Sequence, residues 1–102
     1  MEVTTGELAD ALAAGDVFVL DVRRHEEWVE KRLVGVTLIP MDQLNDHIEE
    51  MPDDQPIYVI CAVGGRSARV AEALRRAGYD AFNVTGGVDK WVEEGRPFES
   101  GE

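Results

Sequence analysis

Two rhythms of apolar residues alternate along this chain: short β-branched runs, and longer stretches in which apolar side chains return at helical spacing. Thr4 or Thr5 can cap a first helix that carries Leu8 and Leu12 on one face and is closed by Gly15. Val17 to Leu20 is a buried strand ending at Asp21, and a short helical turn is expected over Glu26 to Glu30. Thr37, Leu38 and Ile39 form a second strand, stopped by Pro40. Asp42 can cap a helix in which Leu44, Ile48 and Met51 recur on one face while Asp46, Glu49 and Glu50 meet water.

Ile57 to Ile60 is the most apolar strand, expected near the sheet centre, with Cys61 at its carboxyl end. The next helix buries Val70, Leu74 and Ala77 and ends at Gly78. Ala81 to Val84 make a further strand, and Val88, Trp91 and Val92 mark a last amphipathic helix. This alternation predicts an α/β fold: an open, mostly parallel sheet of about four or five strands with helices on both faces. No repeat, low-complexity tract or linker interrupts residues 1–102, so a single domain is expected, with a frayed tail from Glu99.

Composition narrows the function. At 102 residues and 44% hydrophobic, the chain can build one core. Ten basic residues against 21 acidic ones leave a formal charge of -11, which repels phosphate backbones and anionic bilayers. Neither nucleic acid nor a membrane is expected as a partner. The first ten residues lack a basic segment followed by an apolar run, and the longest apolar stretch is too short for a bilayer, so a soluble, cytoplasmic protein is expected. His25 has no second histidine at zinc-protease spacing, because Val29 stands there. His47 is expected to be solvated. Asn83-Val84-Thr85 matches a glycosylation acceptor only by chance, and core packing is the simplest expectation for Trp28 and Trp91.

Cys61 is the one cysteine, so the chain can form neither an internal disulfide nor a cysteine-rich zinc site. A thiol ending a buried strand is more often a small core residue than a nucleophile. Its surroundings change that balance. Ligands of parallel sheets bind beyond the strand carboxyl ends, and Ala62-Val63-Gly64-Gly65 is a short glycine-rich loop opening a helix. Inward-turned amides and the helix dipole would stabilise a thiolate there, and Arg66 would add positive charge.

Cys61-Ala62-Val63-Gly64-Gly65-Arg66-Ser67 resembles the rhodanese active-site loop, Cys-x-x-Gly-x-Arg-Ser. Asp21-Val22-Arg23 with Glu26-Glu27-Trp28, then Gly35, Ile39 and Pro40, is similar to that family's first signature. Gly78-Tyr79, Gly86-Gly87-Val88 and Trp91 resemble its closing pattern. The resemblance implies a rhodanese-like fold and a sulfurtransferase without metal or cofactor. Cys61 would take sulfane sulfur from thiosulfate, polysulfide or a persulfide, hold it as a persulfide within the Ala62–Ser67 loop, and pass it to a thiol, cyanide or protein acceptor. With no second cysteine, the acceptor must come from outside. Asp21 and Arg23 would stiffen the site by pairing with loop amides or Arg66.

Two alternatives accompany this reading, a rhodanese module used only for protein interaction, and a phosphatase or arsenate reductase of related fold. The retained cysteine and glycine loop speak against the first. Only four residues separate Cys61 from Arg66, one fewer than the Cys-x5-Arg loop of those enzymes, and this speaks against the second. The chain departs from the family at Lys31-Arg32-Leu33-Val34-Gly35-Val36, where Gly-His-Ile-Pro-Gly-Ala is usual. It departs again at the apolar Ala62-Val63, which makes a dianion such as thiosulfate a poorer donor than polysulfide or a persulfide.

Overall fold

A computed structural model describes residues 1–15 and 17–102. Strands β1 (Glu2–Val3), β2 (Phe18–Asp21), β4 (Thr37–Leu38), β5 (Ile57–Ile60) and β6 (Ala81–Val84) form a parallel sheet in the order β1-β6-β5-β2-β4. Five strands, all parallel, with β5 at the centre, agree with the expected architecture. A separate antiparallel ribbon joins β3 (Arg32–Leu33) to β7 (Phe98–Glu99).

Alternation along the strands sends side chains to two faces. Leu20, Ile57, Val59 and Ala81 pack under helix α3 (Gly65–Arg76), against its Val70, Ala71 and Leu74. Val19, Ile60 and Val84 pack on the other face against Leu8 of helix α1 (Thr5–Ala14) and Val88 and Trp91 of helix α4 (Gly87–Glu93). Helices therefore cover both faces, as parallel strands require. Thr4 caps α1 through a reciprocal pair of hydrogen bonds with Glu7.

Several expectations need correction. The segment after Pro40 is no α-helix capped by Asp42. It is two 3-10 turns, Met41–Asp46 and Ile48–Glu50, broken at His47. Asn45 and Asp46 favour turns over helix interiors, because their side chains compete with the backbone for hydrogen bonds. Leu44 and Met51 still reach the core. In α3 the buried alanine is Ala71. Ala77 is exposed, because the helix stops at Arg76 and Gly78 turns left-handed (φ 98°).

The end of the chain, expected to fray from Glu99, makes backbone contacts. Glu99 lies opposite Arg32 in the ribbon, and the Gly101 amide donates to the Val29 carbonyl at 2.7 Å. The ribbon runs past helix α2 (His25–Glu30), where Trp28 is half-buried between a stacked His25 ring and the Arg32 guanidinium, 3.7 Å above its ring. Trp91, by contrast, is core, as expected. His47 lies 3.1 Å from Glu50 at the surface. No helix among the described residues is long and apolar enough to cross a membrane.

Candidate active site

Cys61 directly follows the central strand, where β5 meets the loop to α3. The loop is shaped from outside by α4. The Val88 and Asp89 amides, at the start of that helix, donate to the Cys61 and Ala62 carbonyls at 2.9 and 3.0 Å. With those carbonyls drawn outward, the following amides turn in. Gly64 supplies the turn at φ 109°, a left-handed conformation that other residues rarely adopt.

The Gly64 amide donates to Cys61 Sγ at 3.1 Å and the Ser67 amide at 3.4 Å. Ser67 Oγ lies 3.2 Å from the same sulfur. Ser67 belongs to the first turn of α3, so its N–H has no partner within the helix and is free for the sulfur. Burial alone would push the Cys61 thiol up. The Ser67 hydroxyl and the amides of Ser67, Gly64 and Val63 outweigh burial and bring it below its ordinary value. Cys61 itself is only 1% exposed and belongs to the core cluster under α3, whereas Val63 in the loop is 67% exposed.

Arg66 does not face the sulfur as a free charge. Its Nη1 and Nη2 donate to Glu27 Oε1 and Oε2 at 2.7 and 2.9 Å, a two-pronged pair across to α2. The guanidinium holds the Glu27 carboxyl down to about 2, against a smaller opposing effect of burial, while the carboxylate raises Arg66 in turn. Beside Arg66 opens a groove of about 420 Å³ lined also by Val22, Arg24, Pro40, Met41 and Asp42.

Asp21 and Arg23 bond to each other, in place of the expected pairing with loop amides or Arg66. Arg23 Nε donates to Asp21 Oδ1 at 2.9 Å, Nη2 to Oδ2 at 2.8 Å, and Nη2 also to the Lys31 carbonyl at 2.7 Å. Both side chains are fully buried. Asp21 lies opposite Ile60 in the sheet, one residue from Cys61, so this pair braces the strand end and the unusual Lys31–Val36 segment together.

Sequence reading missed two residues at this site. Glu27 carried no local sign of a partner 39 positions away. Asn83 did carry one, as a polar residue within an otherwise apolar strand; it is buried, and its Oδ1 accepts from Ser67 Oγ at 2.5 Å.

The family model for the Rhodanese-like domain matches residues 4–94. The chain belongs to the rhodanese-like family. A rhodanese-like domain protein of Staphylococcus aureus, known from its crystal structure, is 38% identical with a TM-score of 0.89, and the match covers 100% of both chains. A protein named sulfurtransferase from Allochromatium vinosum is 27% identical over 99% of this chain and 96% of its own length. "Probable adenylyltransferase/sulfurtransferase MoeZ" of Mycobacterium tuberculosis is 32% identical over 93% of this chain, but the chain spans only 25% of that protein. The rhodanese-like domain thus has relatives named as sulfurtransferases, both alone and within longer proteins.

Proposed function

We propose that this rhodanese-like chain is a sulfurtransferase in which Cys61 carries sulfane sulfur as a persulfide. One observation supports this above the rest: Cys61 Sγ receives the Gly64 and Ser67 amides and lies beside the Ser67 hydroxyl at the carboxyl end of a parallel sheet. A structural core cysteine has no need of such donors; a thiolate or a terminal persulfide sulfur does.

The thiolate attacks the outer sulfur of the donor. With a persulfide donor RSS⁻, the new Cys61 S–S bond forms as the donor's S–S bond breaks, and RS⁻ leaves with the electron pair. With thiosulfate the leaving group is sulfite. An external acceptor thiolate then attacks the terminal sulfur, takes it as its own persulfide and returns Cys61 as thiolate. Gly64, Gly65 and Ser67 form the collar that steadies the terminal sulfur, Ala62 and Val63 its apolar rim, and Arg66 its charged edge. Asp21 and Arg23 position the strand end. The acidic chain acts in a reducing compartment, the cytoplasm, where its thiol stays free and acceptor thiols are abundant.

Polysulfide or a persulfide suits this site better than thiosulfate. Glu27 already neutralises Arg66, and the loop presents the exposed, apolar Val63, so little stabilises a dianion. A sulfur covered this closely also admits only a narrow donor end. The test is intact mass after treatment with polysulfide or thiosulfate. One added sulfur, lost in Cys61→Ser, is expected, with faster turnover of polysulfide; no added sulfur from either donor would end the proposal.

A further inference from the structure

Asn83 stands behind the site on β6, 4% exposed, with both ends of its amide engaged. Its Nδ2 donates to the Glu2 carboxylate of β1 at 3.2 Å, and its Oδ1 lies 2.5 Å from Ser67 Oγ. A carboxylate only accepts, so Glu2 fixes which way the amide faces and turns its oxygen toward Ser67. That oxygen also only accepts. The bond between Ser67 and Asn83 therefore needs the hydroxyl hydrogen of Ser67.

A serine hydroxyl has one hydrogen. While it points to Asn83, Ser67 Oγ shows Cys61 Sγ, 3.2 Å away, only lone pairs. Those accept from a thiol S–H and repel a thiolate. When the hydrogen turns to the sulfur, two oxygens are left 2.5 Å apart in a buried space with nothing between them. The Gly64 and Ser67 amides keep donating to the sulfur in either arrangement.

We propose that Asn83 competes with the Cys61 thiolate for the single hydroxyl hydrogen of Ser67, a positioning residue that restrains the thiol from ionising. This deepens the reading of Cys61 as the sulfur-carrying thiol and rests on it. Glu2, at the exposed edge of the sheet, enforces the restraint by orienting the amide. Near the sulfur Asp21 is paired with Arg23, Glu27 of α2 with Arg66 of α3, and Asp89 of α4 with Lys31, while Arg24, 3.8 Å from Glu27, and Asp42 line the groove beside Arg66. A change at Asn83 leaves those pairs alone.

Two substitutions on one hydrogen-bonded chain should therefore act through the same hydrogen. Ser67→Ala removes it altogether. Asn83→Leu frees it for the sulfur and lowers the Cys61 pKa. The Cys61 pKa is read from the pH profile of its alkylation by iodoacetamide, with Cys61→Ser as blank. Asn83→Leu is expected to speed alkylation about threefold or more on the acid side of the profile, since each pKa unit is about tenfold in thiolate fraction. In a Ser67→Ala background the same substitution is expected to do nothing, whereas a general loosening of the fold would act there too. Glu2→Ala provides a milder arm if Asn83→Leu fails to fold. It lets the Asn83 amide rotate and donate to Ser67 Oγ, so it also speeds alkylation, again only with Ser67 present. An unchanged or raised pKa in both variants, or an equal shift without Ser67, overturns the proposal. Failure of wild-type protein to gain a sulfur in the mass experiment would instead overturn the sulfurtransferase reading, so the two failures are distinguishable.

Discussion

Gly87 lies so close to Cys61 that a Cβ on it would be 2.6 Å from the Ala62 carbonyl carbon and nearer still to the Cys61 and Ala62 oxygens. Its φ of 62° adds a second demand for glycine. The closeness has a purpose: it lets the first amides of α4 reach those carbonyls, which in turn leaves the loop amides facing the sulfur.

Gly87→Ala is therefore expected to damage the sulfur's surroundings without touching it. The left-handed backbone and the backbone clash together should cost about 2 kcal/mol or more. Urea unfolding measures that loss, and Cys61 alkylation should at the same time shift toward the behaviour of an ordinary thiol. A stable variant with an unchanged alkylation profile would show that α4 does not shape the loop.

The depressed Cys61 pKa has a consequence for stability. A thiol whose folded pKa lies below its unfolded one stabilises the fold once pH exceeds the unfolded value, and that contribution fades as pH falls through the folded value. Stability curves of wild type and Cys61→Ser should accordingly diverge in wild type's favour between mildly acidic pH and pH above the ordinary thiol range. Parallel curves would mean that the collar does not favour the thiolate.

Glu27→Gln breaks the two-pronged pair with Arg66. Both partners are partly solvated, so the stability loss should be only about 1 kcal/mol. Because the Glu27 pKa is lowered to about 2, this contribution is complete above the ordinary carboxylate range and disappears as pH falls toward 2. The freed guanidinium should lower the KM for thiosulfate several-fold while leaving polysulfide nearly unaffected. Equal changes for both donors would argue against Glu27 as the source of donor preference.

The Asp21–Arg23 pair is buried on both sides, and removing one partner strands the other. Arg23→Leu is expected to destabilise by about 3–5 kcal/mol, with Asp21→Asn costing less because the amide can still accept from Arg23. Chemical denaturation distinguishes them, and a loss below about 1 kcal/mol in Arg23→Leu would remove this pair from the account of how the strand end is held.

The strands that were easy to read, Val17–Asp21, Ile57–Ile60 and Ala81–Val84, are apolar runs whose character is local. The two-residue strands β1, β3 and β7 were not legible, because each exists only through pairing with a distant segment. The 3-10 turns after Pro40 were mistaken for an α-helix because Leu44, Ile48 and Met51 satisfy helical spacing whether or not the backbone between them stays helical. At the site, Cys61 and its loop were visible as contiguous residues, whereas the partner of Arg66 lies on α2 and that of Ser67 on β6.

Local order therefore determined the kind of fold and the candidate reactive atom: an apolar strand, a cysteine at its end, a glycine-rich turn and a helix start are written consecutively. How that atom behaves was decided in three dimensions. Glu27 cancels the charge that Arg66 offered, Asn83 claims the hydrogen of Ser67, and α4 pulls the carbonyls aside. The reason is that a side chain has few donors and one charge, and which neighbour receives them depends on segments that only folding brings within reach.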